Sequence, residues 1–377
     1  MRVGSMNELY EEFGLTLMVN HACNLRCVYC YTGAKFHSAM SREIGGAAIR
    51  RAFHSLAPGG CLTLGFFGGE PLIEAIRISH WMTYARELAR SSEKRVRFNI
   101  TTNGTLRHGE AWKIMLAEDL ELAVSFDGSS ELHDRQRPDA VGKGSAETVL
   151  ATLHRLMDSG KRFRVVCVVR PENLEEIPAG LEYLQSIGVR EVDLSLDLWV
   201  SWSAGDGVRL RSLVGRAASL WHQWLPHFSI NWFDAKAAVC AGLPQTEATS
   251  RCGFGAGEIA VAPSGRLYPC ERLIGEDRPE QPLALPGNAL VGENFLSLAP
   301  SRFLPCSACS YCALQETCDT FCRCSNFIRT GDANVPDGLL CILNKATTSA
   351  TAALMRDPLP MPVFQCSQPR IDYEKRK

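Results

Sequence analysis

The sequence predicts an α/β protein, a partial (β/α)6 barrel followed by a cysteine-rich region. Two patterns carry that expectation. From Leu15 to about Trp224, short apolar runs alternate with amphipathic stretches, and repeated strand-helix units imply a parallel sheet with right-handed crossovers. After about residue 235 the alternation stops, and glycine, proline and cysteine take over. The expected division is residues 1–235 for the barrel, 236–356 for the cysteine-rich domain and 357–377 for a proline-rich tail. A chain of 377 residues has room for this, at about 100–200 residues per domain.

The expected strands are Leu15–Asn20, Cys61–Phe67, Arg97–Thr102, Leu120–Phe126, Phe163–Val169 and Glu191–Leu196, rich in the Val, Ile and Phe that suit a buried sheet. Helices are expected between them at Ser41–Leu56, Ile73–Arg90, Gly109–Ala117, Ala146–Ser159 and Leu174–Ile187, where apolar residues recur at helical spacing. Further on, Ala256–Pro269 reads as a hairpin turning at Pro263-Ser264-Gly265. The cysteine-dense remainder has too little periodic apolar sequence to fold by burial alone, so bound metal is expected to staple it. In barrels of this kind reacting groups gather at the C-terminal ends of strands. Each motif below follows one.

Composition narrows the function. Hydrophobic residues are 46% and charged residues 21%, an ordinary globular balance, and a net charge of -1 leaves no basic footprint for nucleic acid. No apolar run approaches the roughly 18 residues of a membrane span, and the acidic start Asn7-Glu8-Leu9-Tyr10-Glu11-Glu12 is unlike a signal peptide, so a cytoplasmic protein is expected. The 16 cysteines then read as metal ligands and not as disulfides. Their distribution agrees, with nine between Cys252 and Cys341. Cys61 and Cys167 lie in apolar runs and read as small hydrophobes, and Cys240 as structural.

Cys23, Cys27 and Cys30 form a CxxxCxxC triplet in Asn-His-Ala-Cys-Asn-Leu-Arg-Cys-Val-Tyr-Cys-Tyr, directly after the first strand. Three thiolates can hold a cubane iron-sulfur cluster and leave one iron without a protein ligand. The spacing alone also suits zinc completed by His21 or His37. With an aromatic residue before its third cysteine, the triplet resembles that of the radical SAM superfamily. The resemblance implies a [4Fe-4S] cluster whose open iron is chelated by S-adenosylmethionine, which is reductively cleaved to a 5'-deoxyadenosyl radical. Gly68-Gly69-Glu70-Pro71 resembles the superfamily's GGEP motif, which meets the amino group of S-adenosylmethionine. Ser125 and Asp127 match an SxDG element of peptide-modifying members, with the serine expected near the ribose. Asn103 is a further candidate for the same pocket, as well explained by a solvated turn. Arg137 is a candidate to face a carboxylate, with an exposed ion pair as the alternative.

The C-terminal cysteines resemble the SPASM arrangement: Cys252, Gly265 and Cys270, then Cys309-x2-Cys312-x5-Cys318-x3-Cys322, then Cys341. A zinc ribbon would account for Cys309, Cys312, Cys318 and Cys322 but not for the others. The resemblance implies two auxiliary iron-sulfur clusters, the first on Cys252, Cys270 and Cys322, the second on Cys309, Cys312, Cys318 and Cys341. Many members add a cysteine six residues after the first, where this chain has Glu258. Cys322-Arg323-Cys324 followed by Thr330-Gly331-Asp332-Ala333 looks instead like the pyrroloquinoline quinone peptide maturases, which makes Cys324 the expected fourth ligand of the first auxiliary cluster. Whether that cluster is [4Fe-4S] or [2Fe-2S] stays open. Cys306 and Cys366 have no assigned place. Glu271 stands where anaerobic sulfatase-maturating enzymes carry an aspartate implied to deprotonate the substrate radical, a solvated surface glutamate being the alternative. Asp197 is a second candidate base.

Together these resemblances imply an oxidoreductase acting on a peptide or protein. The leading expectation is a maturase that installs a thioether or carbon-carbon cross-link in a ribosomally synthesised precursor. Anaerobic sulfatase maturation to formylglycine and a non-catalytic iron-sulfur electron carrier are the alternatives. About 14 residues precede the first expected strand, so a separate leader-recognition protein or direct leader binding is expected, with flavodoxin or ferredoxin as reductant.

Overall fold

The computed structural model describes residues 9–241, 254–279, 281, 283–298, 306, 309–314, 318 and 322–355. Cys252, Cys366 and the expected tail lie outside the described residues. Seven parallel strands lie side by side in chain order: β1 (Tyr10–Asn20), β2 (Leu56–Gly68), β3 (Arg95–Thr102), β4 (Leu120–Ser125), β5 (Phe163–Val169), β6 (Glu191–Leu196) and the short β7 (Ser229–Ile230). The crossovers carry α1 (Arg42–His54), α2 (Ala75–Ser91), α3 (Gly109–Leu116), α4 (Ser130–Gln136), α5 (Ala146–Asp158), α6 (Ile177–Ser186) and α7 (Ala204–Trp224), with α8 (Asn231–Cys240) after β7. β5 and β6 keep their expected bounds, whereas β1 to β3 begin earlier. The added residues of β1 include exposed Glu11 and Glu12, which give no apolar signal.

Local chemistry explains the helices. The Ser41 hydroxyl accepts from Ile44 N–H at 3.1 Å to cap α1, and α7 opens on a capping box between Ser203 and Asp206. On α5 the buried Ala146, Val149, Leu153 and Leu156 recur at three- and four-residue spacing and face the sheet. Phe13, Leu64, Phe98, Leu122 and Val165 come from successive strands into one core. Each buried Leu or Phe contributes about 1.5–3 kcal/mol.

The cysteine-rich region does not stand apart from this sheet. β8 (Glu258–Val261) pairs parallel with the free edge of β1, in the register Leu15 to Ile259 and Leu17 to Val261. β9 (Arg266–Tyr268) returns antiparallel as the expected hairpin, and β10 (Leu285–Asn288) completes a ten-stranded sheet. Arg51 of α1 ties the two regions together through bonds to the carbonyls of Asn288 at 2.7 Å and Asn294 at 2.8 Å. After α9 (Arg323–Thr330), helix α10 (Gly338–Leu354) packs on α7 and α8. No helix was expected there. Its inner face carries Asn344, Thr347 and Thr351, which read as polar, yet the two threonine hydroxyls donate to Leu343 and Thr347 carbonyls at 2.9 Å, so their methyls can be buried. Burial therefore supports this region more than its composition suggested. Among the described residues no helix is long and apolar enough to cross a membrane.

Candidate active site

The loop after β1 carries Cys23, Cys27 and Cys30, and it is fixed at both ends. At its root the Asn20 amide oxygen accepts from Ala22 N–H at 2.9 Å and Ser38 N–H at 3.2 Å. At its crest Arg26 N–H donates to the Pro138 carbonyl at 2.6 Å and Val28 N–H to the Gln136 carbonyl at 2.9 Å. The loop is thus strapped to the segment after α4. Burial raises the Cys23 thiol, and it pushes Cys27 up to about 11. Cys30 differs: burial would raise it, but hydrogen bonds from Lys35 and Thr32 outweigh that and leave it below the usual thiol value. Lys35 Nζ lies 2.8 Å from Cys30 Sγ. No sequence signal marked Lys35.

Gly68-Gly69-Glu70 continues β2 alongside the start of the loop. Gly69 N–H donates to the Asn20 carbonyl and Glu70 N–H to that of Ala22, both at 2.9 Å. A Cβ on Gly69 would stand 2.2 Å from the Ala22 carbonyl oxygen, and one on Gly68 2.4 Å from that of Asn20. Two glycines are required by this approach. Glu70 is buried and holds its neighbours with both oxygens: Oε1 accepts from Leu72 N–H at 3.0 Å and Thr102 Oγ1 at 2.8 Å, and Oε2 from Asn103 N–H at 2.7 Å. Burial outweighs these bonds and pushes its carboxyl up to about 7. Asn103 is also buried, so it is no solvated turn; its amide donates to Asn24 Oδ1 at 2.8 Å and lies 3.9 Å from Cys23 Sγ.

At the end of β4 the two SxDG positions diverge. Among the described residues, the buried Ser125 side chain makes no hydrogen bond that claims it for the fold. Asp127 is committed to structure. Arg137 Nε reaches its Oδ2 at 2.8 Å and Nη2 its Oδ1 at 3.2 Å, Tyr29 hydroxyl donates at 2.7 Å and Val168 N–H at 3.0 Å. Burial alone would raise this carboxyl, but the Arg137 charge and bonds hold it below the usual range. The exposed ion pair considered for Arg137 is corrected here: both side chains are buried, because α4 turns the arginine inward beneath the cysteine loop.

Asp197, after β6, is bound by Arg170 Nε at 3.0 Å and Trp199 N–H at 3.0 Å. The next residues build an aromatic shelf. Tyr31 stacks on Trp199 with centroids 4.2 Å apart and planes 2° from parallel, and on Phe67 at 6.2 Å. Tyr31 was missed, although it directly follows the triplet. Its hydroxyl lies within electrostatic reach of Arg272, Glu271 and Cys270 on one side and of Cys30 on the other, between the two sulfur-bearing regions.

Three of the four residues expected at the first auxiliary site meet. Cys322 and Cys324 sulfurs are 3.3 Å apart, and Cys324 is hydrogen-bonded to Cys270. Cys252 lies outside the described residues. Glu271 is half-buried and takes the Cys270 thiol at 3.4 Å, so it is not a solvated surface glutamate. At the second site Cys309 lies within electrostatic reach of Cys341 and Cys318, and Cys341 within reach of Cys318 and Cys312. Cys306, which had no place, is hydrogen-bonded to Cys309 through its side chain, and its carbonyl accepts from Cys309 N–H at 3.0 Å. Cys61 and Cys167 are buried as expected, but Cys240, read as structural, is exposed at the end of α8.

The residues present fit iron-sulfur chemistry at the first site: three thiols share one rigid loop, and a side-chain-free glycine strip lies beside it. Among the described residues, no group of three His, Cys, Asp or Glu side chains converges as a single metal ion would require. Residues 17–184 match the Radical SAM superfamily. The chain is similar to the cysteine-type anaerobic sulfatase-maturating enzyme of Clostridium novyi, with 23% identity over 342 residues, 84% of this chain and 87% of that protein. It is also similar to the PqqA peptide cyclase of Granulibacter bethesdensis, with 21% identity over 351 residues and 88% of each chain. The solved structure of native anSMEcpe with bound AdoMet and Kp18Cys peptide has the same fold, with a TM-score of 0.73 at 18% identity over 91% of this chain and 98% of that one. The cysteine loop, the glycine strip and strands β2 to β5 all lie within the segment that matches the Radical SAM superfamily.

Proposed function

We propose that this protein is a radical SAM peptide maturase that oxidatively installs a thioether or carbon-carbon cross-link in a ribosomally synthesised precursor. The observation that carries this reading is the meeting of Cys270, Cys322 and Cys324 beside Tyr31, which directly follows Cys30. A peptide lying on the Tyr31–Trp199 shelf would be next to both sulfur sites. The likeness to a peptide cyclase supports a peptide substrate.

In this reading Cys23, Cys27 and Cys30 hold a [4Fe-4S] cluster, and Gly68, Gly69, Glu70, Asn103 and Ser125 border S-adenosylmethionine. Cys252, Cys270, Cys322 and Cys324 hold one auxiliary cluster and Cys309, Cys312, Cys318 and Cys341 the other. When bound, these groups supply a 5'-deoxyadenosyl radical able to abstract hydrogen from an unactivated carbon, together with one-electron oxidation. The protein contributes position and charge. Asp127, Arg137 and Tyr29 hold the cysteine loop rigid, and Lys35 stabilises the Cys30 thiolate. Glu271 is placed to accept a substrate proton, because the Cys270 proton it now receives is absent once that sulfur is a ligand. Asp197, already bound to Arg170, is the weaker candidate for a base and the better one for positioning. A flavodoxin or ferredoxin reductant and a cytoplasmic setting complete the proposal.

The likeness to a sulfatase-maturating enzyme and the carboxylate after Cys270 favour a second reading, formylglycine formation. One set of measurements separates the readings. Anaerobically reconstituted protein reduced with dithionite should release 5'-deoxyadenosine, and no release would leave only an electron carrier. Co-expression with small peptides encoded beside the gene should yield a product lacking a pair of hydrogens whose fragmentation is blocked between the joined residues. A hydrazide-reactive aldehyde formed on a sulfatase-motif peptide would replace cross-linking with sulfatase maturation.

A further inference from the structure

Arg272 lies two residues after Cys270 and was marked by no motif. It is half-buried in the space between the two sulfur-bearing regions. Its Nη1 reaches Ser325 Oγ at 3.4 Å, and that hydroxyl in turn donates to Cys322 Sγ at 3.1 Å. Its backbone N–H bonds to Cys270. Cys324, Tyr31, Glu271 and Cys322 surround its guanidinium, and their charges hold the proton on it against the cost of burial. Glu271 is the single carboxylate in that set, and it opposes the cation that neighbours Cys322 and Cys324.

We propose that Arg272 is the electrostatic tuning residue of the first auxiliary site, a fixed positive charge that favours the reduced state of the iron-sulfur group held there. Reduction adds one electron and one negative charge to the site. A permanent cation within hydrogen-bond relay of a ligand sulfur stabilises that added charge and raises the potential, while Glu271 acts in the opposite sense. Arginine suits the role because it cannot lose its proton to the buried thiolates around it. A more easily reduced group is also the better acceptor for an electron leaving a substrate radical. The inference rests on the auxiliary site of the proposed function.

The test is an EPR-monitored redox titration of the anaerobically reconstituted full chain, with iron and sulfide content measured on each variant. Cys270→Ser and Cys322→Ser identify the auxiliary signal by removing it; if neither alters the iron content or the spectrum, the auxiliary site itself is refuted and no midpoint comparison arises. With the signal assigned, Arg272→Gln should retain its iron and lower the reduced-to-oxidised ratio at fixed poise about tenfold, a negative shift of about 59 mV for one electron. Arg272→Lys should fall between that variant and the wild type. An unchanged midpoint in Arg272→Gln overturns the inference. Should that variant load no iron at the site, Arg272→Met takes its place, and loss of the iron from both neutral variants overturns the inference in favour of an assembly role.

Discussion

Arg137 and Asp127 form a buried two-point ion pair, Nε to Oδ2 at 2.8 Å and Nη2 to Oδ1 at 3.2 Å, directly beneath the loop that carries the cysteine triplet. Tyr29 of that loop donates to the same carboxylate, and the Arg137 guanidinium stacks over its ring at 5.1 Å. Removing one partner leaves a buried charge. Arg137→Met should therefore cost about 3–5 kcal/mol of stability and loosen the loop. Urea unfolding of the metal-free protein measures the first effect, and iron loading of the triplet the second. The paired change Arg137→Met with Asp127→Asn should recover part of the stability; no recovery would mean that the ion pair is not what the single change breaks.

Gly69 offers a steric test. Its missing side chain lets β2 approach the Ala22 carbonyl, where a Cβ would be 2.2 Å from oxygen. Gly69→Ala should cost about 1–3 kcal/mol and reduce iron binding at the triplet, since the loop root must move. Gly46→Ala in α1 meets nothing within 4 Å and should gain up to about 1 kcal/mol with iron content unchanged. Equal effects in the two variants would contradict the close-approach argument.

His133 predicts an acid limb. It is buried, with Nδ1 accepting from Asp127 N–H at 3.3 Å and Nε2 bonded to Ser145 Oγ at 3.0 Å. Burial, aided by the Arg137 charge, lowers its pKa from 6.5 to about 4. The unfolded chain takes up a proton below about pH 6.5 that the folded chain refuses until about pH 4. Its stability contribution is therefore complete above the upper value and is lost as the pH falls through that window, at about 1.4 kcal/mol per unit. Thermal unfolding of metal-free protein across the window should show a steeper fall for the wild type than for His133→Gln.

The cysteines should divide by location. Cys324→Ser should lose the iron of one auxiliary site, because its sulfur lies against both Cys270 and Cys322. Exposed Cys240→Ser should lose none. Iron and sulfide analysis decides this, and unchanged iron in Cys324→Ser would remove Cys324 from the ligand set.

The strands of the parallel sheet were readable because they carry local signals: Phe163–Val169 is rich in β-branched residues, and Glu191–Leu196 alternates polar with buried apolar residues. The cysteine positions were readable because ligand spacing is local along the chain. Helix α10 was not, since Thr347 and Thr351 score as polar while their hydroxyls bond back to the helix. Nor was the edge pairing of β8 with β1, which joins residues far apart in sequence and is set by no local pattern.

Sequence by itself marked the cysteine spacings, the glycine pair after the second strand, and the alternation of strands with helices. All of these are properties of short segments. Tertiary structure alone decided that Arg137 is buried against Asp127, that Tyr31 and Arg272 stand between two sulfur sites, and that Cys306 lies beside Cys309. Such relationships depend on which surfaces meet when the chain folds, because burial and the charges it brings together, more than residue type, set what each side chain can do.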